Sequence, residues 1–249
     1  MNKRLITFSL PVIIVIFCLT LMQCKVNSTA GTKGNSKSTR VLVVGGGSSH
    51  DFDKWYRQAD VATLERDGFA TATYTTNIDS ILYFLPNVDV LYMVTNQSIN
   101  NQNVRKAIFD HVNSGKGLVI GHAGLWYSWK DWPEYNLQLV SGGARGHNRY
   151  GPFDVTVTND NHPVTQGVDK TFGLKDELYY YIPDPAGPGL EVLATAKATT
   201  SDKVFPSVVI VKHPKARIVG IALGHDGAAH DFAPYQTLLR NAIKWAAHK

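Results

Sequence analysis

Residues 117–124, Gly-Leu-Val-Ile-Gly-His-Ala-Gly, limit what this chain can fold into more than any other stretch. Leu118, Val119 and Ile120 form an unbroken apolar run, which suits a parallel strand covered on both faces. Gly121 and Gly124 bracket a sharp turn, so the side chain at its tip, His122, projects from the carboxyl end of the strand. In open α/β sheets that edge is where ligands bind. The spacing of Ile120, His122 and Gly124 resembles a nucleophile elbow, but the tip carries imidazole in place of Ser or Cys. Imidazole serves as base, acid or metal ligand and is a poor match for an acyl-enzyme nucleophile.

The segments before this strand alternate. A β-branched strand at 40–44 runs into Gly45-Gly46-Gly47-Ser48-Ser49-His50-Asp51, and residues 52–67 have helical spacing. The Gly-rich turn invites a phosphate-cradle reading. Neither a full G-x-G-x-x-G context nor a P-loop Lys is present, so a turn that holds His50 beside the sheet is expected instead. Strands at 69–74 and 88–94 and helices at 78–85 and 100–114 continue the alternation. This predicts a parallel sheet with right-handed crossovers. After a helical stretch at 133–140 the order changes to serial strands: 152–158, 177–182, 190–197, 207–212 and 217–223. The last two read as a hairpin, and a closing helix at 234–247 carries Leu238, Leu239, Ala242 and Trp245 at core spacing. Residues 141–150, rich in Gly and Arg and containing His147, read as a loop, either closing over substrate or simply exposed. The expected architecture is one α/β domain whose second half adds antiparallel strands around the pocket.

The first 39 residues stand apart. Lys3 and Arg4 precede an apolar run from Leu5 to Met22, a signal-peptide pattern for residues 1–23. A single membrane-spanning helix is the alternative, weakened by Pro11 and by a length at the lower limit. Leu21-Met22-Gln23-Cys24 resembles a bacterial lipobox, in which Cys24 becomes the acylated N-terminus, although Gln23 departs from the small residue usual before the Cys. Residues 24–39, rich in Ser, Thr, Gly, Asn and Lys, then form a flexible tether to a domain at 40–249. The expected location is the bacterial envelope, secreted, periplasmic or outer-membrane-anchored, with Cys24 as the membrane contact. Cleavage would remove Cys18, leaving no pair for a disulfide and no thiol catalyst. It would also remove Lys3 and Arg4, lowering the formal charge from +5 to +3. The basic residues are scattered rather than clustered with aromatics, which leaves nucleic-acid binding unsupported.

Taken together, several short motifs carry a family resemblance. They are Gly45-Gly46-Gly47-Ser48-Ser49-His50, Gly121-His122, Gly142-Gly143 with His147, His162-Pro163-Val164-Thr165 and Asp176-Glu177-Leu178-Tyr179. Arg217-Ile218-Val219, Gly224-His225-Asp226 and Trp245-Ala246 complete the set. In their order they resemble the ThuA-like (trehalose utilisation) family. The resemblance implies a class I glutamine-amidotransferase-like fold, a flavodoxin-like, mostly parallel sheet with added antiparallel strands. It also implies a role in metabolism of trehalose and other glycosides through 3-keto-sugar intermediates. True amidotransferases carry Cys where His122 stands, and no Cys follows Cys24, so glutaminase activity is excluded.

His50, His122 and His225 each follow an expected strand, and on a parallel sheet those ends share one edge. The expected chemistry is proton transfer beside a keto-sugar carbonyl, which needs a base, an acid and donors for an enolate oxygen. His122 is assigned as base, Glu177 or His225 as acid, and Asp226 as the carboxylate that orients an imidazole. His50 and the turn containing Gly46 and Gly47 are placed at the enolate. Trp126, Trp129, His147 and Tyr179 are expected to wall the sugar pocket. His162 is a weaker site candidate, and His111 is read as a surface residue. No ligand spacing such as His-x-x-x-His occurs, so no cofactor is expected, with a divalent metal held by His and carboxylate groups as an alternative. Two competing readings are a sugar-binding module without catalysis and a metal-dependent hydrolase. The sequence leaves the oligomeric state open.

Overall fold

The computed structural model describes residues 38–249; the leader, Cys24 and residues 24–37 of the tether lie outside them. The elements in chain order are β1 (Thr39–Val44), a π-helical stretch (Asp53–Asp60) continued by α1 (Val61–Glu65), β2 (Ala70–Thr75), α2 (Ile81–Phe84), β3 (Val90–Met93) and α3 (Gln102–Asn113). Then come β4 (Gly117–Gly121), β5 (Gly142–His147), β6 (Gly151–Val157), β7 (Thr171–Asp176) and β8 (Tyr179–Pro183). The chain closes with β9 (Leu190–Lys197), β10 (Val204–Val211), β11 (Ile218–Ile221), α4 (Gly227–His230) and α5 (Ala233–Ala246). Thr39 already belongs to the first strand. Among the described residues, no helix is long and apolar enough to cross a membrane.

Nine strands form one sheet in the order β2-β1-β3-β4-β11-β10-β9-β6-β7, and β5 pairs with β8 beside it. The pairings β2–β1–β3–β4–β11 are parallel, and those from β11 to β7 antiparallel. The expected switch from a parallel core to added antiparallel strands is therefore present. The hairpin expected from residues 207–223 is β10–β11.

The central strands are apolar on both faces because both are covered. Val41, Val43, Tyr92 and Val119 pack with Leu238, Leu239, Ala242 and Ile243 of α5. Leu42, Val44, Leu91, Leu118 and Ile120 face the other way, onto Val104, Ile108 and Val112 of α3. Alternation along each strand sends successive side chains to opposite layers. Each fully buried Leu, Ile or Val contributes ~1.5–3 kcal/mol, so these rows hold the sheet edge in place.

Three expectations change. Residues 142–147, read as a loop, form β5, because Gly142 and Gly143 let the chain pair closely with β8. Gly142 has φ +140, and a Cβ there would lie 2.2 Å from the Ile182 carbonyl oxygen. Gly142→Ala is expected to cost more than ~1 kcal/mol, read as a lower urea midpoint. Gly167→Ala, also at positive φ but facing open space, is expected to lose less. Secondly, β7 was not foreseen. It is an outer strand whose buried face is carried by Phe172, Leu174 and Asp176 alone.

Thirdly, His111 is buried rather than on the surface. It lies on the inner face of α3 and donates from Nε2 to the Gly117 carbonyl at 3.1 Å. Burial, helped by the Lys116 charge, pushes its pKa down to about 4. Between an ordinary histidine value of ~6.5 and that value, the unfolded chain binds a proton that the folded chain does not. Stability therefore rises with pH across that window and falls on acidification. His111→Gln keeps a donor for Gly117 and is expected to flatten this part of the urea midpoint's pH profile between pH 7 and 4. Parallel profiles for variant and wild type would contradict it.

Candidate functional site

The carboxyl ends of β1, β4 and β11 lie on one edge because those strands are parallel. Each releases a histidine there: His50 six residues after β1, His122 immediately after β4, and His225 four residues after β11. The rings meet. Centroids are 5.0 Å apart for His50 and His122, 4.8 Å for His50 and His225, and 5.7 Å for His122 and His225. Glu177 enters from the β7–β8 connection. Its Oε2 lies 3.1 Å from His225 Nδ1 and 3.6 Å from His122 Nε2, and its Oε1 3.6 Å from His147 Nδ1.

Each of these groups is held from behind. The turn that carries His122 approaches β3 so closely that a Cβ on Gly124 would sit 2.6 Å from the Met93 carbonyl oxygen. His122 itself is fully buried, with Nδ1 donating to the Ala222 carbonyl at 2.8 Å and Tyr179 stacked on its ring at 4.1 Å. His50 Nδ1 donates to the Ser48 carbonyl at 3.1 Å. The Asp176 carboxylate, fully buried at the end of β7, accepts the backbone N–H groups of Gly224, His225 and Glu177 at 2.7, 3.1 and 2.7 Å. One buried side chain thus ties the loop of His225 to the loop of Glu177.

A second buried network lies beneath. Tyr56 and His230 donate to the Gly224 carbonyl at 2.6 and 3.1 Å. Asp60 accepts from His230 Nδ1 at 2.6 Å, Tyr92 at 2.9 Å and Tyr235 at 3.2 Å. His230 and Asp60 were not singled out in the sequence. His230 occupies α4, and only its burial against Asp60 distinguishes it.

Electrostatics follow from this packing. Burial opposes the Glu177 charge, but His122 and His225 beside it hold its carboxyl far below the ordinary value. Glu177 raises the His225 pKa in return, against the cost of burial. Burial and the neighbouring His122 push His50 down to about 4. The Asp176 pKa moves upward through burial, although His122 and three backbone N–H groups oppose the shift.

His50 Nε2, His122 Nε2 and His225 Nδ1 are buried and have no hydrogen-bond partner among the described residues. His225 Nδ1 is near Glu177 in distance, but the ring is not aimed along a hydrogen bond. A buried polar atom left in this way costs ~1–3 kcal/mol.

Above the cluster opens a cavity of about 510 Å³, lined in part by His50, Asn96, Trp126, Tyr127, His147, Glu177 and Tyr179. His147, at the end of β5, is part-exposed and touches the Trp126 ring. Trp126, His147 and Tyr179 are among the residues that line this cavity. Trp129 is not: it is 3% exposed, donates to the Gln97 carbonyl and packs on Tyr135 and Trp132 in the core. Asp226 orients no imidazole. It caps α4 through the Ala228 N–H and accepts from Tyr150 at 2.6 Å. Gly46 and Gly47 do not line the cavity. The Gly46 carbonyl accepts from Thr95 and Asn96, and the Ser48 N–H that a cradle would offer is taken by Asn96 Oδ1. His162 stands away from the cluster, against Trp245.

An open sheet whose elbow presents His where a glutaminase carries Cys defines a class I glutamine-amidotransferase-like fold that lacks the glutaminase nucleophile. The sequence profile of the ThuA family, described as trehalose utilisation, matches residues 40–246, and the chain belongs to that family. A ThuA-like protein of Parabacteroides merdae is similar, with TM-score 0.75 and 22% identity over 85% of this chain and 90% of its own. A ThuA-like protein of Bacteroides uniformis gives 0.69 and 22% over 84% and 92%. The CTPS glutaminase domain of Trypanosoma brucei gives 0.51 and 11% over 85% and 94%. These structural likenesses bear on the fold alone. Among curated proteins none matches the chain.

Proposed function

We propose that the protein is an enzyme of carbohydrate metabolism that acts on a keto-sugar or its glycoside by proton transfer beside the carbonyl. The observation that carries this reading is Glu177, which stands within 3.6 Å of His122, His147 and His225 at the floor of an aromatic-walled cavity. A 3-keto group acidifies the neighbouring C–H bonds, so isomerisation or elimination proceeds without a covalent enzyme intermediate. The faces of Trp126, Tyr127 and Tyr179 suit the apolar C–H faces of a sugar ring. His122 is too deep to touch substrate and acts through Glu177. His147, at the rim, takes the proton. The reading also keeps the envelope location, with Cys24 as the lipid anchor.

The test is deuterium incorporation from solvent into a 3-keto-glycoside, followed by NMR. Wild type is expected to exchange the C–H next to the carbonyl, and His147→Ala to do so ~100- to 10,000-fold more slowly, the usual loss for one acid–base group. Tight calorimetric binding of glycosides with no exchange or turnover would replace this reading with a sugar-binding module.

A further inference from the structure

We propose that His50, His122, His225 and Glu177 are the ligands of a divalent first-row transition-metal ion at the cavity floor. The inference rests on the proposed function for its purpose but on separate observations for its existence. One nitrogen from each ring and one carboxylate oxygen lie within 4.8 Å of one another. The nitrogens aimed into the cluster, His50 Nε2, His122 Nε2 and His225 Nδ1, are the three that lack a hydrogen-bond partner. His122 is fully buried, so no solvent reaches its free nitrogen.

The tautomers match a metal site. A backbone carbonyl only accepts, so Ser48 and Ala222 fix the proton of His50 and His122 on Nδ1. Each neutral ring then directs its Nε2 lone pair at the common centre. A carbonyl behind the distal nitrogen is the usual outer-shell support of a metal-bound histidine. The spacing matches as well. Bonds of ~2.0–2.2 Å put neighbouring ligand atoms ~3.0–3.5 Å apart. The His225–Glu177 and His122–Glu177 contacts are 3.1 and 3.6 Å. Separations near the 4.8 Å limit would close by about an ångström as the ion enters. Glu177 meets both rings without an aligned hydrogen bond, which leaves its oxygen free to coordinate.

The donor set selects the ion. Three imidazoles and one carboxylate suit Zn²⁺, Fe²⁺, Co²⁺ or Ni²⁺ and not the all-oxygen preference of Ca²⁺ or Mg²⁺. His50 and Glu177 also line the cavity, so a bound ion keeps an open side toward it. A bound ion would supply Lewis-acid chemistry toward a substrate carbonyl there, with His147 beside it to move the proton.

The experiment uses untagged full-length protein, stripped with chelator and titrated with Zn²⁺ by calorimetry, with Co²⁺ absorption as a second readout. One ion per chain is expected. His122→Ala, His225→Ala and Glu177→Gln are each expected to weaken binding by more than ~100-fold, beyond the effect of losing an outer-shell partner. His248→Ala, an exposed histidine, is expected to bind as wild type does. Zn²⁺ is a demanding probe because it binds N/O sites tightly, so a stripped protein that takes up none overturns the proposal. Wild-type affinity in a folded His225→Ala, at a part-exposed position, overturns it too. Binding is read without substrate, so the two readings fail separately. A metal-loaded protein that leaves keto-glycosides unchanged removes the proposed function. A stripped protein that turns them over at full rate overturns the Lewis-acid role of the ion.

Discussion

Glu177→Gln is expected to lower the rate of C–H exchange or turnover by ~100- to 10,000-fold while the protein stays folded. Gln has nearly the shape of Glu but no charge, so the change isolates the carboxylate from its packing. Glu177 is the group that meets three imidazoles at once, from β4, β5 and β11. Without the charge, the His225 pKa loses the main cause of its upward shift. The side chain sits in the β7–β8 connection at 16% exposure, and Gln fills the same volume, so no void opens. Circular dichroism and a thermal melt establish folding, and steady-state kinetics read the loss. Activity within threefold of wild type would remove Glu177 from the centre of the chemistry.

Asp60→Ala acts on stability instead. It leaves His230 Nδ1 and the Tyr92 and Tyr235 hydroxyls without their acceptor in a fully enclosed space. Breaking a buried ion pair of this kind costs ~3–5 kcal/mol. In a domain of this size each kcal/mol shifts Tm by ~2–4 °C, so a fall of about 6–20 °C is expected. The pH dependence has a defined sign. Burial works against the His230 charge, but Asp60 and the Gly224 carbonyl outweigh it and raise its pKa. The extra stabilisation is complete below the ordinary histidine value and fades as pH rises through the raised one. The gap between wild type and Asp60→Ala is therefore expected to narrow from pH 6 to pH 9. A constant or widening gap would mean that His230 is neutral in the folded protein. The same network holds the Gly224 carbonyl, so the variant is also expected to loosen His225 and slow turnover.

The sequence by itself determined the scaffold and the edge where the chemistry gathers. Apolar runs at β1, β3 and β4, each followed by glycine or a polar turn, are buried on both faces because they are apolar throughout, a property local to a few residues. A parallel sheet then forces the carboxyl ends of β1, β4 and β11 onto one side, so the meeting of His50, His122 and His225 was legible from order alone. Glu177 was legible only as one of two adjacent carboxylates. Tertiary structure chose between them, because β7 turns Asp176 inward to bind three N–H groups and leaves Glu177 facing the rings. The packing around Trp126 and Trp129 decided that one walls the cavity and the other fills the core, although both belong to the same short loop. His111 was legible and missed, since it stands three residues after Ile108 and seven after Val104 on the buried face of α3, whereas α4 is too short for periodicity to show which way His230 turns. The proposed ligand set had no signature in the sequence because its four members come from four separate loops. Linear spacing encodes a metal site only when one element supplies two ligands, and here the fold alone brings the four donor atoms within 4.8 Å of one another.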